Sequence, residues 1–283
     1  MSDEAEADPS RRRRRRVWIG AAIALSVALA GLGTFAILLS RVSSRPVTID
    51  EARQRADEAG QGTELSTDAV DFRPAAGIYE YRGEGTERLD RPPTNQSQGP
   101  EMPGTVTHLD DRCWRFRIDY STNHWQSWDY CASAGGLTEH AGQFFQRLDL
   151  VVTVVETLST FTCEPPADAI RLDQEAGDQW TQECRGASEG TTGEVVSTGP
   201  YTFVGPGVLE IGGRDVDALH YRRTRELSGG QTGTEDIEVW FDADTGLPLK
   251  NQRNITVRSD SLIGGVTYEE DGSFALVSTT PTG

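Results

Sequence analysis

Four cysteines, Cys113, Cys131, Cys163 and Cys184, are the residues of this chain most able to do chemistry. Thiols ligate metals, attack as nucleophiles or pair as disulfides. No two of them show C-x₂₋₄-C spacing, so a zinc site is not supported and no metal is expected. An even number, all placed beyond an apolar export run, reads as two disulfides. Other candidates are thinner. Gly186-Ala187-Ser188-Glu189-Gly190 matches the G-x-S-x-G string. A nucleophile elbow, however, needs an apolar strand before the serine and a helix after it. Cys184 precedes this string and Thr191-Thr192-Gly193 follows it, so it reads as a flexible loop. Asp242-x-Asp244-x-Gly246 offers carboxylates but lacks the closing glutamate of a calcium loop, and reads as a β-turn. The histidines, His108, His124, His140 and His220, form no ligand or base spacing. No phosphate-binding glycine loop is present. The sequence thus assigns no catalytic residue, cofactor or metal, and points away from an enzyme.

The elements that would position such residues begin with an anchor. Val17 to Leu39 is an uncharged apolar run directly behind Arg11–Arg16. At ~1.5 Å per residue such a helix crosses a hydrocarbon core of ~30 Å. The arginines place the N-terminus in the cytoplasm by the positive-inside rule. The prediction is a single-pass plasma-membrane protein that meets the lipid bilayer through Val17–Leu39. A cleaved export signal is the alternative, but the run exceeds the usual ~7–15 apolar residues and no A-x-A site follows. Residues 1–16 then form a basic tail, 17–40 the span, 41–75 a stalk with a short helix and linker, and 76–283 an extracytoplasmic domain. The formal net charge is −17. Because six arginines precede the span, the rest of the chain is more acidic still, which excludes nucleic acid as a partner.

Within the stalk, Thr48 and Glu51 have capping-box spacing ahead of Ala52-Arg53-Gln54-Arg55-Ala56. Beyond it, glycine, proline and many Thr, Val, Tyr and Trp residues favour β structure with turns. Arg88–Pro103 reads as a loop. The clearest hairpin runs from Cys113 to Cys131, turning at Thr122. Its alternation pairs Trp114 with Tyr130 and Phe116 with Trp128 on one face. The other face pairs Cys113 with Cys131 and Arg115 with Asp129. That register predicts the Cys113–Cys131 disulfide, and elimination leaves Cys163–Cys184. A second hairpin, Arg214–Leu227 with Thr234–Phe241, is predicted by charge pairing: Arg225 opposite Asp236, Arg223 opposite Glu238, Tyr221 opposite Trp240, with a slip of two residues as the alternative.

Glu238-Val239-Trp240-Phe241-Asp242-Ala243-Asp244-Thr245-Gly246-Leu247-Pro248-Leu249 resembles a strand–turn–strand of bacterial envelope domains. Those domains are open half-barrels similar to the lipoprotein carriers and related lipid-binding lipoproteins (LolA/LppX-like). The Gly77-x-Tyr79-x-Tyr81 opening, the Trp-bearing Cys113–Cys131 hairpin and the pair Cys163 and Cys184 look like uncharacterised actinobacterial membrane-anchored proteins. The chain departs from the carriers in having no lipobox cysteine and in keeping its span.

The expectation is a mainly β fold, one curved antiparallel sheet (an open half-barrel) after one N-terminal transmembrane helix, with a helix or long loops on its concave side. The expected function is non-enzymatic binding of an apolar or lipid ligand outside the cytoplasm. Trp114, Phe116, Trp128 and Tyr130 would line the groove. A structural or protein-interaction module contacting an envelope protein is the alternative, and an extracytoplasmic hydrolase the second alternative.

Overall fold

The computed structural model describes residues 44–58, 72–91, 93–150, 153–189, 191–261 and 264–282. The expected basic tail, the Val17–Leu39 span and most of the linker lie outside the described residues. Among those described, no helix is long and apolar enough to cross a membrane.

The described residues form one helix, α1 (Ile49–Glu58), and the strands β1 (Gly77–Tyr79), β2 (Tyr81–Asp90), β3 (Pro93–Gln98), β4 (Gly104–His108), β5 (Cys113–Ser121), β6 (His124–Ser133), β7 (Gly136–Leu150), β8 (Thr153–Arg171), β9 (Gln179–Ser188), β10 (Val195–Ile211), β11 (Arg214–Gly229), β12 (Gln231–Asp242), β13 (Pro248–Ser261) and β14 (Gly264–Leu276). All fourteen strands belong to one antiparallel sheet, ordered β1-β4-β5 and onward in sequence to β14, then β2-β3. The sheet curls into a half-barrel. Side chains from distant strands meet inside it, with Tyr130 of β6 6.0 Å from Phe241 of β12 and Phe144 of β7 6.2 Å from Tyr268 of β14. β1 and β2 are successive segments of one strand, and they draw the two ends of the order together near Tyr81 and Tyr120. There Met102 N donates to the Tyr81 carbonyl and Gly99 N to that of Tyr120, both at 3.0 Å.

The β5–β6 register is the expected one, Cys113 opposite Cys131 through Ile118 opposite Gln126. Even-numbered β5 residues turn inward, so Trp114, Phe116, Ile118 and Tyr120 are fully buried. Disulfides join Cys113 to Cys131 and Cys163 to Cys184. Thr48 and Glu51 exchange capping bonds, Thr48 N to Glu51 Oε2 at 3.0 Å and Glu51 N to Thr48 Oγ1 at 3.2 Å.

Four expectations need correction. First, α1 does not cover the concave side. It packs on the outer face through Ala52 and Ala56, and Arg55 forks onto Asp119 at 2.8 and 3.0 Å. The concave side is filled by the strands' own side chains. Second, the β11–β12 register differs by one residue: Arg225 faces Glu235, Arg223 faces Ile237 and Tyr221 faces Val239. A one-residue slip moves a strand's whole set to the other face. Apolar burial decides it, because this register puts Tyr221 inside with Ile237, Val239 and Phe241, and leaves Trp240 outside, stacked 4.1 Å from His220. Third, the expected loop over Arg88–Pro103 contains a strand, β3, whose Gln96 and Gln98 are buried. Fourth, Gly186 to Ser188 is strand, not loop, with Ser188 paired to Ser159 of β8. The Asp242–Gly246 turn forms as expected, Asp242 Oδ1 accepting from the amides of Asp244 and Thr245 at 3.0 and 2.7 Å.

Candidate functional site

The interior has three levels. One end is an aromatic plug, with Trp114 5.0 Å from Tyr130 and Phe116 stacked 6.0 Å from Trp128. Next lies a belt of buried polar side chains. Ladder pairing runs one row of this belt across six strands: Arg223, Ile237, Arg253, Gly272, Gly85 and Gln98. Two of these positions must be glycine for the row to fit. A Cβ at Gly85 would lie 2.4 Å from Gln98 Oε1, and one at Gly272 would lie 2.9 Å from Arg253 Nη2. Beyond the belt is a cavity of about 180 Å³, walled by Phe144, Phe161, Leu227, Ile255, Val257 and Val266 among others.

One side of the belt is a tightly bonded network. Gln98 Nε2 is 2.9 Å from Oε1 of both Glu87 and Glu270, and Arg253 Nε donates to Glu270 at 2.5 Å. Arg253 also donates to Gln98 Oε1, and Tyr268 OH to Glu270 at 2.8 Å. His124 Nδ1 lies 2.8 Å from Glu87. Burial pushes the Glu270 carboxyl up, but Arg253, His124 and the Gln98 bond outweigh it and hold it well below the usual carboxylate range.

The other side is looser. Arg223 and Arg225 of β11 are 7% and 4% exposed, and both face Glu139 of β7. A nitrogen of each lies 3.6 Å from Glu139 Oε2, and Arg223 is 4.0 Å from Glu235. Arg225 Nη2 donates to Gln182 Oε1 at 2.6 Å. Arg223 Nε, Arg225 Nε and Ser197 Oγ are buried without a hydrogen-bond partner. Burial and the neighbouring Arg223 lower the Arg225 pKa. For Arg223, burial is outweighed by Glu139 and Glu235. Both stay cationic at physiological pH. All of these groups except Gln182 line the cavity.

The expected groove residues lie at or below this cavity. Trp128 lines it. Phe116 and Tyr130 face an adjoining void of about 30 Å³. Trp114 is fully enclosed, its Nε1 donating to the Phe72 carbonyl at 2.9 Å. Cys163 and Cys184 lie close to Glu139, but both sulfurs are spent in the disulfide, leaving no thiolate to ligate a metal. Ser188 bonds Ser159 Oγ at 2.9 Å rather than a histidine. The charge-paired register of β11 hid Arg223 and Arg225 from the sequence. The signal that locates them is the alternation Tyr221-x-Arg223-x-Arg225-x-Leu227, bracketed by apolar residues of one parity.

No protein-family model matches this chain, and no curated protein matches it. Among solved structures, the hypothetical lipoprotein YmcC from Escherichia coli (K12) is similar over 84% of this chain and 100% of that one, with 13% identity and a TM-score of 0.32.

Proposed function

We propose that the half-barrel is a non-enzymatic binding domain. It sits outside the cytoplasm on the Val17–Leu39 anchor and holds an apolar ligand in the cavity. The carrying observation is that cavity: about 180 Å³, with Phe144, Phe161, Leu227, Ile255, Val257 and Val266 in a wall that also carries polar side chains, beyond the belt. A pocket that combines such hydrocarbon side chains with convergent polar groups suits a ligand with an apolar part. It is smaller than the ~300–1,000 Å³ of drug-sized sites, which suits one chain or ring rather than a bulky ligand.

The test is photolabelling of the full chain in membranes with a diazirine-bearing decanol. Label is expected on peptides of β7, β8 and β13, in addition to the anchor. Label confined to the anchor rejects the reading.

A further inference from the structure

We propose that the cavity selects an anionic amphiphile, an alkyl or acyl chain ending in a carboxylate or a phosphate monoester, whose head is held by Arg223, Arg225 and Ser197. This rests on the binding reading above and adds the chemistry of the head group.

Three buried side chains reach the cavity with hydrogen-bonding capacity unused: Arg223 Nε, Arg225 Nε and Ser197 Oγ. Arg223 is 7% exposed, and Arg225 and Ser197 are 4% exposed each. Guanidinium N–H groups only donate, so whatever completes them must accept. The protein supplies one shared carboxylate, Glu139, at 3.6 Å from each arginine. A charge-assisted bond settles at about 2.7–2.9 Å, so this contact is an ion pair without a formed hydrogen bond. Glu235 stands further off, at 4.0 Å from Arg223 alone. A neutral chain would fill the walls and leave the three groups as they are. A cationic head would meet two guanidiniums whose carboxylates, Glu139 and Glu235, are already engaged with them. A carboxylate or phosphate accepts from several donors at once while its chain lies against Phe144, Leu227 and Ile255. Strand pairing keeps the donors together: Ser197 stands opposite Leu227, and Tyr201 opposite Arg223, on the β10–β11 ladder.

The experiment uses the full chain in membranes and two photoprobes of equal length, a diazirine-bearing decanoic acid and the matching decanol. The acid is expected to half-label the β7, β8 and β13 peptides at about tenfold lower concentration, the size of one charge-assisted bond. Octanoate and octyl phosphate should displace it, and octanol should not. The stronger of the two competitors names the head. Equal labelling by acid and alcohol overturns the anionic head while leaving the apolar cavity standing. No cavity label by either probe removes both readings.

Two variants separate recognition from folding. The Arg225→Gln, Glu139→Gln pair removes one charge of each sign and leaves Arg223 with Glu235 at 4.0 Å as its counter-ion. With Arg223 and Ser197 still in place, it should narrow the preference for acid without abolishing it. Should that pair fail to fold, Ser197→Ala, which deletes only one hydroxyl, should still narrow the preference for acid. An unchanged preference in a folded variant pair overturns the assignment.

Discussion

Two clusters of buried charge share one barrel interior and are built to different standards. Around Glu270, donors sit at 2.5–2.9 Å and bond strands β3, β13 and β14 into one unit. Only His124 Nε2 and Arg253 Nη1 remain without partners there. Around Glu139, the same types of residue stand 3.6 Å apart and leave three donor-bearing atoms open. A buried network is strong when satisfied and costly when incomplete. The tight cluster therefore holds the sheet's β2–β3 end in place. The loose one keeps polar capacity in reserve beside an apolar cavity, which makes it the half of the belt that can respond to a ligand.

Removing one arginine from each cluster is the sharpest way to break this comparison. Arg253→Met strands Glu270 and should cost about 3–5 kcal/mol in urea unfolding. Arg223→Met leaves Glu139 its second partner, Arg225, and should cost about 1 kcal/mol. Equal losses would mean that the clusters do the same job. The Cys163–Cys184 bridge flanks the loose cluster, and replacing both cysteines with alanine should cost about 2–4 kcal/mol in the same assay. The cavity label should persist if the strand pairing, rather than the bridge, positions Arg223 and Arg225. Acid should probe the tight cluster. The Glu270 carboxyl lies below its unfolded value of ~4.3, so its ionised form stabilises the fold at every pH above that value. That contribution drains away as pH falls toward the folded value. Thermal midpoints measured from neutral pH to pH ~3 should therefore drop more steeply for the parent chain than for Glu270→Gln. The smallest effect should come from Ser197→Ala, within about 0.5 kcal/mol of the parent's stability. A larger loss would show the hydroxyl to be structural.

The contrast between the two hairpins explains what could be read from sequence. In Cys113–Cys131, aromatic residues take one parity, while cysteines and charges take the other, so only one register satisfies both. In β11–β12 the inner parity itself carries two arginines. Opposite-charge pairing, a rule for solvated faces, then selected a register one residue away from the one that buries Tyr221. Gln96 and Gln98 failed for a related reason. Glutamine between prolines looks like loop until buried partners claim it, Glu87 and Glu270 for Gln98, the Arg147 carbonyl and Asn123 for Gln96. The plug was legible because hydrophobic alternation reports burial. The belt was not, because buried polar residues resemble exposed ones until their partners, some far along the chain, are known.

The pairing of β14 with β2 has a consequence in time. From β5 to β14 each strand bonds the one made just before it, so hairpins can zip in the order of synthesis. β2 cannot be enclosed on that schedule. Leu89 waits for Tyr268, and the Glu80 carbonyl waits for the amide of Val277. β2, made second, is among the last completed, and such long-range closure is slow. Until closure, β2 and β14 are open edges able to pair with another chain, so the newborn protein passes through a phase in which it needs shielding from its own copies.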